Sequence, residues 1–516
     1  MFAIFSFVSS LVQRPKQSEK ITVGSILDEF RLDNDILLRM IEDMDMLMES
    51  GLIGGLRTSS IAMLPSFVPC LLDGKEEGTF LAMDLGGTNL RVLLMTVSPT
   101  MEEPHTEQRN FRIPNTAMTG TGKQLFDFIV QCLYDFLEEK DLLNSGLPLG
   151  FTFSYPCDQV SVRSARLVRW TKGFNASGVE GYDVVELLED AIARHGDINV
   201  RVVALVNDTV GTMVASALDY SNVAMGVIVA TGTNCAYMED TSKIRKLKGN
   251  KAGSAYKQMI IDTEWGGFGD GGQADYIKTR YDKIVDDRSV HPGRMCFDKL
   301  VAGMYMGELV RLVLEHMVDE KLLFNGIGSD VLRDPMTFPT KYISEILGDQ
   351  SGHLYHIREI LDELAIDEYS FSDILIVKEV CMVVSRRSAN LAAAAIACVL
   401  NRLKRRKATI GIDGSTYRYL PFYHTWVKEK TTELLELLKC ETQFDIVQAG
   451  DGSGKGAALI ACIAEKLSGA VSSPSPGNPS PAASSAVHKP AVSDGNVILN
   501  QMQHKGDSGV STSSEE

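Results

Sequence analysis

At 516 residues the chain exceeds one ordinary domain, and 44% hydrophobic residues suffice for two sizeable cores, so two or three domains are expected. A formal charge of -16, with no extended basic stripe, argues against a nucleic-acid footprint. Nine scattered cysteines without a Cys-x-x-Cys pair, and nine equally dispersed histidines, argue against a disulfide frame or a transition-metal site and read as free thiols of a reducing compartment.

The N-terminus, MFAIFSFVSSLV, is apolar and then meets Arg14, Lys16 and Lys20. It is too short to span a bilayer, and it lacks the leading charge and clear cleavage site of a signal peptide. Two readings stay open for residues 1–20, a shallow membrane-surface anchor and a locally packed terminus. From Ile26 to Leu52 apolar residues recur at helical spacing, with Gly51 as the predicted C-cap and Met40, Met44 and Met48 as core packing. Between about 79 and 165, short strands alternate with a helix over Gly122–Glu139. A strand over Val200–Val206 leads into Asn207-Asp208 and a helix through Ala217, and strands return at 224–238 and 257–263. A mainly helical region covers 270–405. It ends in Lys404-Arg405-Arg406-Lys407, read either as a targeting signal or as the solvated end of a helix from Val377, where cations suit the dipole. The last unit is the strand ATIGIDGS, a helix over 424–439, the strand QFDIVQ, a Gly-rich turn and a helix over 456–467. Beyond Leu467 the Ser- and Pro-rich composition, poor in large apolar residues, predicts a disordered tail over 468–516. The pattern is that of an α/β protein with mixed sheets.

Two stretches repeat one idea. LAMDLGGTNLRVLL at 81–94 and MGVIVATGTNCAYM at 225–238 each set a Gly-Thr-Asn turn between apolar strands. Alone, either is a hairpin turn. In context, Asp84 stands at a strand end where a carboxylate can hold hydrated Mg2+, Gly86 and Gly87 let backbone N–H groups approach phosphate oxygens, and Thr88 and Asn89 add donors. The turn Thr231-Gly232-Thr233-Asn234 repeats the donors without the acid, and two such turns facing each other would clamp a polyphosphate. A third stretch, AGDGSGKGAAL at 449–459, is no P-loop, since Ala449 and Gly456 stand where Gly and Ser or Thr are needed. It opens no βαβ unit either, which leaves a helix N-terminus near a phosphate or adenosine group. Asp208, between a strand end and a helix start, either caps the helix or does chemistry. Its place just before the second turn favours chemistry, because phosphoryl transfer needs one base for the attacking hydroxyl.

With MDLGGTNLRVLL, LGFTFSYPCDQ, WTKGF, NDTVGTM, ATGTNCAYME, DTEWGGFGD, GMYMGELVRLVL, GIDGSTYR and GDGSGKGAAL in order, the chain resembles the hexokinases over about residues 22–467, as one unit rather than the doubled form. The resemblance implies an actin-like (ribonuclease H-like) two-lobe sugar kinase fold, with a duplicated core and a cleft between the lobes. A helical segment over 21–74 would pack on the large lobe, 208–444. The small lobe would be 75–207, completed by about 445–467. The implied activity is ATP-dependent phosphorylation of the C6 hydroxyl of glucose and related hexoses, with hexose and MgATP as small-molecule partners. Carried over by position, Ser154, Thr171, Lys172, Asn207, Asp208, Asn234 and Glu264 look like sugar contacts, with Asp208 as the base and Lys172 beside it in the catalytic set. Asp84 looks like the Mg2+ carboxylate, acting through water. Gly86, Gly87, Thr88, Asn89, Arg91, Thr231, Gly232 and Thr233 would address phosphates, and Gly414, Ser415, Thr340 and Ser344 the nucleotide.

Three positions depart from the family pattern. Ala230 replaces Gly but keeps the turn donors, Asp262 replaces Asn, and Asp298 replaces a Glu that reaches the sugar, leaving one sugar hydrogen bond open. The implied setting is a monomer or homodimer in the cytoplasm, with any weak hold on the mitochondrial outer membrane residing in residues 1–20. The rival reading is a low-turnover sugar or nucleotide sensor of the same fold, opposed by intact Asp84, Lys172 and Asp208.

Overall fold

The apolar runs become strands, and the alternation along each strand is set by what covers its two faces. The computed structural model describes residues 21–472 apart from 88, 171–172, 251–254 and 351, so the N-terminal stretch and the tail from 473, with their expected anchor and disorder, lie outside the described residues. In chain order the strands are β1 (Leu64–Pro65), β2 (Gly78–Leu85), β3 (Asn89–Val97), β4 (His105–Arg112), β5 (Leu147–Phe153), β6 (Cys157–Ser161), β7 (Ser164–Leu167), β8 (Val200–Val206), β9 (Val223–Val229), β10 (Thr233–Asp240), β11 (Gln258–Asp262), β12 (Lys407–Asp413) and β13 (Gln443–Gln448).

β4-β3-β2-β5-β8 form one sheet and β1-β11-β10-β9-β12-β13 another, with β6 and β7 as a separate pair. Each large sheet is built by the same rule. Three consecutive strands pair antiparallel, and two later strands add in parallel on the free side of the first. Parallel additions need crossovers, supplied by the helices Gly122–Glu138, Val184–His195 and Tyr423–Leu437 and by the helical region before β12. The same order twice in one chain is a duplicated core, to which β1 adds only an edge.

Along β10, Cys235 and Tyr237 enter the larger core, while Ala236 and Met238 point the other way. That other side is filled by two helices, Asp208–Asp219 and Gly452–Ser472. Val210, Met213 and Ala457 to Ala464 join Ala82, Leu93 and Met95 of one sheet with Ala236, Met238 and Ile260 of the other in one buried cluster. The outer faces have cores of their own, one under the helix Gly122–Glu138 and one around Phe371–Leu403. By length and composition the latter helix could cross a membrane, but most of its apolar stretch is buried inside the protein.

Backbone meets backbone where the two central helices cross. A Cβ on Gly456 would lie 2.2 Å from the carbonyl oxygen of Gly211, and one on Gly226 of β9 would lie 2.4 Å from that of Thr209. Side chains there would force the helices apart.

Local signals placed most elements. Gly122–Glu138 starts at a Thr121 cap closed by Gln124, and Met40, Met44 and Met48 are buried as their spacing predicts. The first helix is not continuous. It divides into Val23–Asp28 and Asn34–Gly54, because the Asp33 side chain accepts from Ile36 N–H and starts a new helix. Gly51, the C-cap predicted from the sequence, is interior, and the chain turns instead at Gly55 with φ 61°. The cationic run spans a helix end and a strand start, since Lys404 caps Phe371–Leu403 and Lys407 opens β12. The last helix starts at Gly452 rather than 456 and runs on to Ser472.

Gly456→Ala tests the crossing. Alanine gains about 1 kcal/mol of helix propensity over glycine, whereas overpacking costs about 1–3 kcal/mol. With backbone only 2.2 Å from the new Cβ, the second effect wins, and the urea midpoint falls. A raised midpoint would show that the helices can separate freely.

Candidate active site

Both Gly-rich turns are hairpin turns at equivalent places in the two sheets. Leu85 pairs with Leu90 across the first and Val229 with Thr233 across the second. Gly86 from one, and Thr231, Gly232, Thr233 and Asn234 from the other, line a single cleft of 630 Å³. Thr88 lies outside the described residues, and Asn89 is exposed at the head of β3. At Gly87 an added Cβ would meet nothing within 4 Å, so packing within the protein does not demand this glycine. Open space on that side lets a ligand oxygen approach the backbone.

Asp84 and Arg91 are cross-strand partners in β2 and β3. Arg91 approaches Asp84 at 3.4 Å and pairs closely with Asp451, which the last helix brings in from the far end of the chain. Ser453 donates to Asp84 at 2.6 Å, and Thr152 holds the Ser453 carbonyl at 2.9 Å. Asp413 accepts from Gly414 N–H at 2.7 Å and from Gly452 N–H at 3.3 Å, tying the end of β12 to the start of that helix. Asp451, Ser453 and Asp413 are site residues that the sequence reading passed over; the Asp within GDGSGKG was the available signal.

Burial raises the Asp84 carboxyl to about 6 despite Ser453 and Arg91, and the Asp208 and Asp451 carboxylates push the same way. A cation beside Asp84 would relieve this. Among the described residues no three His, Cys, Asp or Glu side chains converge on a metal cage. The oxygen donor that Asp84 offers fits a hard ion that keeps waters and takes ligand oxygens, as Mg2+ does.

β8 delivers Asn207 and Asp208 to the cleft. The Asn207 oxygen accepts from Thr209 N–H at 2.9 Å and from its hydroxyl at 2.6 Å, so helix capping falls to Asn207. Asp208, half-buried, lines the cleft and has no hydrogen-bond partner for its carboxylate among the described residues. Across from it, the Asn234 amide donates to Asp262 at 2.7 Å and to Glu264 at 3.1 Å, and Asn207 reaches the same Glu264 oxygen at 3.5 Å. Glu264 holds a left-handed backbone, φ 53°, uncommon for its residue type. Burial and the neighbouring Glu264 carboxylate push the Asp262 carboxyl well above the usual range.

Ser154 and Asp298 line the same cleft. Asp298 accepts the Thr233 N–H at 2.8 Å, so this shorter acid is tied to the second turn. Thr171 and Lys172 lie outside the described residues, between Trp170 and Gly173 of the cleft wall. Trp170 is fixed by its indole N–H on Ala176 O, 2.8 Å, and by stacking on Phe174.

A second cavity of 390 Å³ shares Ala230, Thr231 and Met304 with the first. Thr340, Ser344 and Ser415 are on its wall, and Gly414, φ 127°, lies behind. The Thr340 hydroxyl is engaged by the protein itself, donating to Gly303 O and accepting from Gly307 N–H.

The sequence model of the family described as Hexokinase matches residues 22–218 and 224–463. A hexokinase of Brugia malayi is 61% identical over 87% of this chain and 78% of its own length. One of Schistosoma mansoni is 43% identical over 78% and 88%. Human hexokinase-2 is 42% identical over 86% of this chain, which spans about half (48%) of that protein. Among solved structures, the Schistosoma mansoni hexokinase complexed with glucose superposes with a TM-score of 0.79 at 40% identity, covering 86% of this chain and 98% of that one. A second hexokinase crystal structure gives 0.69 at 28% identity over the same shares, 86% and 98%.

Arg91 stands between Asp84 and Asp451, so Arg91→Gln leaves two mostly buried acids facing each other. The arrangement is partly solvated, and the expected loss is about 1–3 kcal/mol of unfolding free energy at neutral pH. Asp84 has a folded pKa above its unfolded value, so its stability contribution is greatest below about pH 4 and is lost as pH rises through 6. Removing the cation raises that pKa further. The deficit should therefore shrink toward about pH 4, read from denaturant midpoints across pH; a deficit that is constant with pH would mean that Arg91 acts by packing.

Proposed function

The chain belongs to the hexokinase family, and on that premise we propose that it transfers the γ-phosphoryl group of ATP to the C6 hydroxyl of glucose or a related hexose, giving hexose 6-phosphate. The repeated sheet order is that of the actin-like sugar kinase fold. One observation carries the reading: Asp208, freed from capping by Asn207, faces a cleft that also receives both turns and opens into a second cavity.

In this reading the hexose lies in the larger cleft. Glu264, Asn234, Asn207, Ser154 and Asp298 hold its hydroxyls, and Thr171 and Lys172 are the further sugar contacts that the family pattern implies. Asp208 accepts the O6 proton as the hydroxyl attacks. Backbone N–H groups of the two turns, with Thr88, Asn89, Arg91 and Thr233, hold the phosphates in line, and the nucleotide extends into the cavity of Ser415, Thr340 and Ser344. Mg2+, when bound through water by Asp84, neutralises phosphate charge. The two sheets flank the cleft, so closing on the sugar would exclude the competing water. Nine unpaired thiols support a cytoplasmic setting, and any membrane hold would belong to residues 1–20.

Asp208→Asn should cut glucose-dependent ADP formation by at least about 10²–10⁴-fold, the share of a general base, while calorimetry still finds nucleotide binding. Retention of a tenth of the activity would put the base elsewhere.

Trp170 lines the cleft, and buried Trp265 donates to the Thr233 hydroxyl at 3.2 Å. Glucose should therefore change intrinsic fluorescence saturably. A flat signal at calorimetric saturation would place the sugar elsewhere.

A further inference from the structure

Asp262 is a second acid where the proposed chemistry uses one. Buried at the end of β11, it is flanked by Leu64 of β1 and Ala236 of β10 and faces Asn234 of β10, Glu264 beyond its own strand and Asp208 at the head of the central helix. Among the described residues, the other titratable groups facing it are Cys157 of β6, Cys235 of β10 and Lys246. Lys246 is engaged by Ala62 O at 2.6 Å, and burial lowers its pKa to about 8. Among the described residues it makes no ion pair with Asp262.

One amide nitrogen serves both acids: Asn234 donates to Asp262 at 2.7 Å and to Glu264 at 3.1 Å. The same Asp262 oxygen also accepts the Glu264 backbone N–H at 3.4 Å, so the two acids crowd onto one amide at the end of β11. Ionised carboxylates only accept hydrogen bonds and repel each other, so two of them sharing one donor in a buried site favour a proton on one. Of the pair, Glu264 lines the cleft and Asp262 does not.

We propose that Asp262 is a positioning residue held as a neutral carboxylic acid, its hydroxyl donating to Glu264 and its carbonyl oxygen accepting from Asn234. It thus does the work of a side-chain amide, presenting one donor and one acceptor, and aims a single anionic Glu264 at the sugar. Burial and the adjacent Glu264 drive Asp262 in the same direction. Losing the proton would set two anions on the Asn234 amide and turn Glu264 away from the hydroxyls it binds. The inference rests on the reading of Glu264 as a sugar contact.

The test compares glucose dissociation constants against pH for the wild type, Asp262→Asn and Asp262→Ala, with infrared difference spectra of the first two. Asparagine keeps a donor and an acceptor, so Asp262→Asn should bind glucose within a few-fold of wild type at neutral pH, while Asp262→Ala binds at least about tenfold more weakly. Wild-type affinity should fall on the alkaline side, by up to about tenfold per pH unit for one proton, and the Asn variant should lack that limb. A protonated-carboxyl band, shifted by deuteration, should be present in the wild type at neutral pH and lost in Asp262→Asn. Asparagine as damaging as alanine, a missing band, or the same pH profile in wild type and Asp262→Asn, rising or flat, would overturn the inference. Tight glucose binding with any of these results leaves the proposed function standing; absence of glucose binding in the wild type defeats that reading instead.

Discussion

The helices Asp208–Asp219 and Gly452–Ser472 cross with backbone against backbone at Gly211 and Gly456, and the geometry of the cleft depends on that contact. The first carries Asp208 at its head, and the second carries Ser453, which donates to Asp84. Any separation of the helices would move Asp208 relative to Asp84 and the turns. Each helix also rests on a bare strand position. Gly226 lies under the first helix, and on the other sheet a Cβ at Gly150 would lie 2.2 Å from Ala457 O. Close packing of this kind transmits position faithfully because nothing flexible lies in the path. A shift as small as about 1 Å at a reacting group costs a large factor in rate.

Charge is the second constraint. Asp84, Asp208, Asp451, Asp262 and Glu264 gather around a cleft that is read as binding a polyphosphate, itself an anion. Arg91 offsets two of these acids, and helix and turn N–H groups offset more, yet burial still lifts Asp84 to about 6. Gathering these acids in buried surroundings costs electrostatic free energy, which a cation beside Asp84 would offset. Binding energy and stability are linked here in the ordinary way, since whatever binds only the folded state stabilises it. The Asp262–Glu264 pair answers the same crowding differently, by keeping a proton.

The departures from the family pattern take a physical meaning from their neighbours. Asp298 is shorter than the expected acid by one methylene, and its carboxylate closes on the Thr233 N–H. It therefore connects the wall of the larger cleft to the second turn. Ala230, in place of glycine, offers its carbonyl to Gly303 N–H at 2.8 Å and to the Thr416 hydroxyl at 3.0 Å, so the turn is braced from the side of the second cavity.

Local chemistry was legible without a structure. The period of apolar residues located β8 and the helix Gly122–Glu138 almost to the residue, because strand alternation and capping depend on neighbours a few positions away. The two Gly-Thr-Asn turns could be matched to each other for the same reason. What the sequence could not reveal lies at long separation or in competition between near-equals. Arg91 meets Asp451 across 360 positions and Asp84 meets Ser453 across 369, and no local pattern encodes such a meeting. Asn207 and Asp208 are both good capping residues, and only the packed helix start shows which one caps and which stays free. Gly51 and Gly55 are both plausible helix stops. Tertiary packing chose the second, because Gly51 is pressed against Ile61 O, 2.3 Å from where its Cβ would be. Periodicity and turn chemistry act over a few residues, whereas partnership between acids, cations and backbone groups is settled only when distant segments share one buried volume.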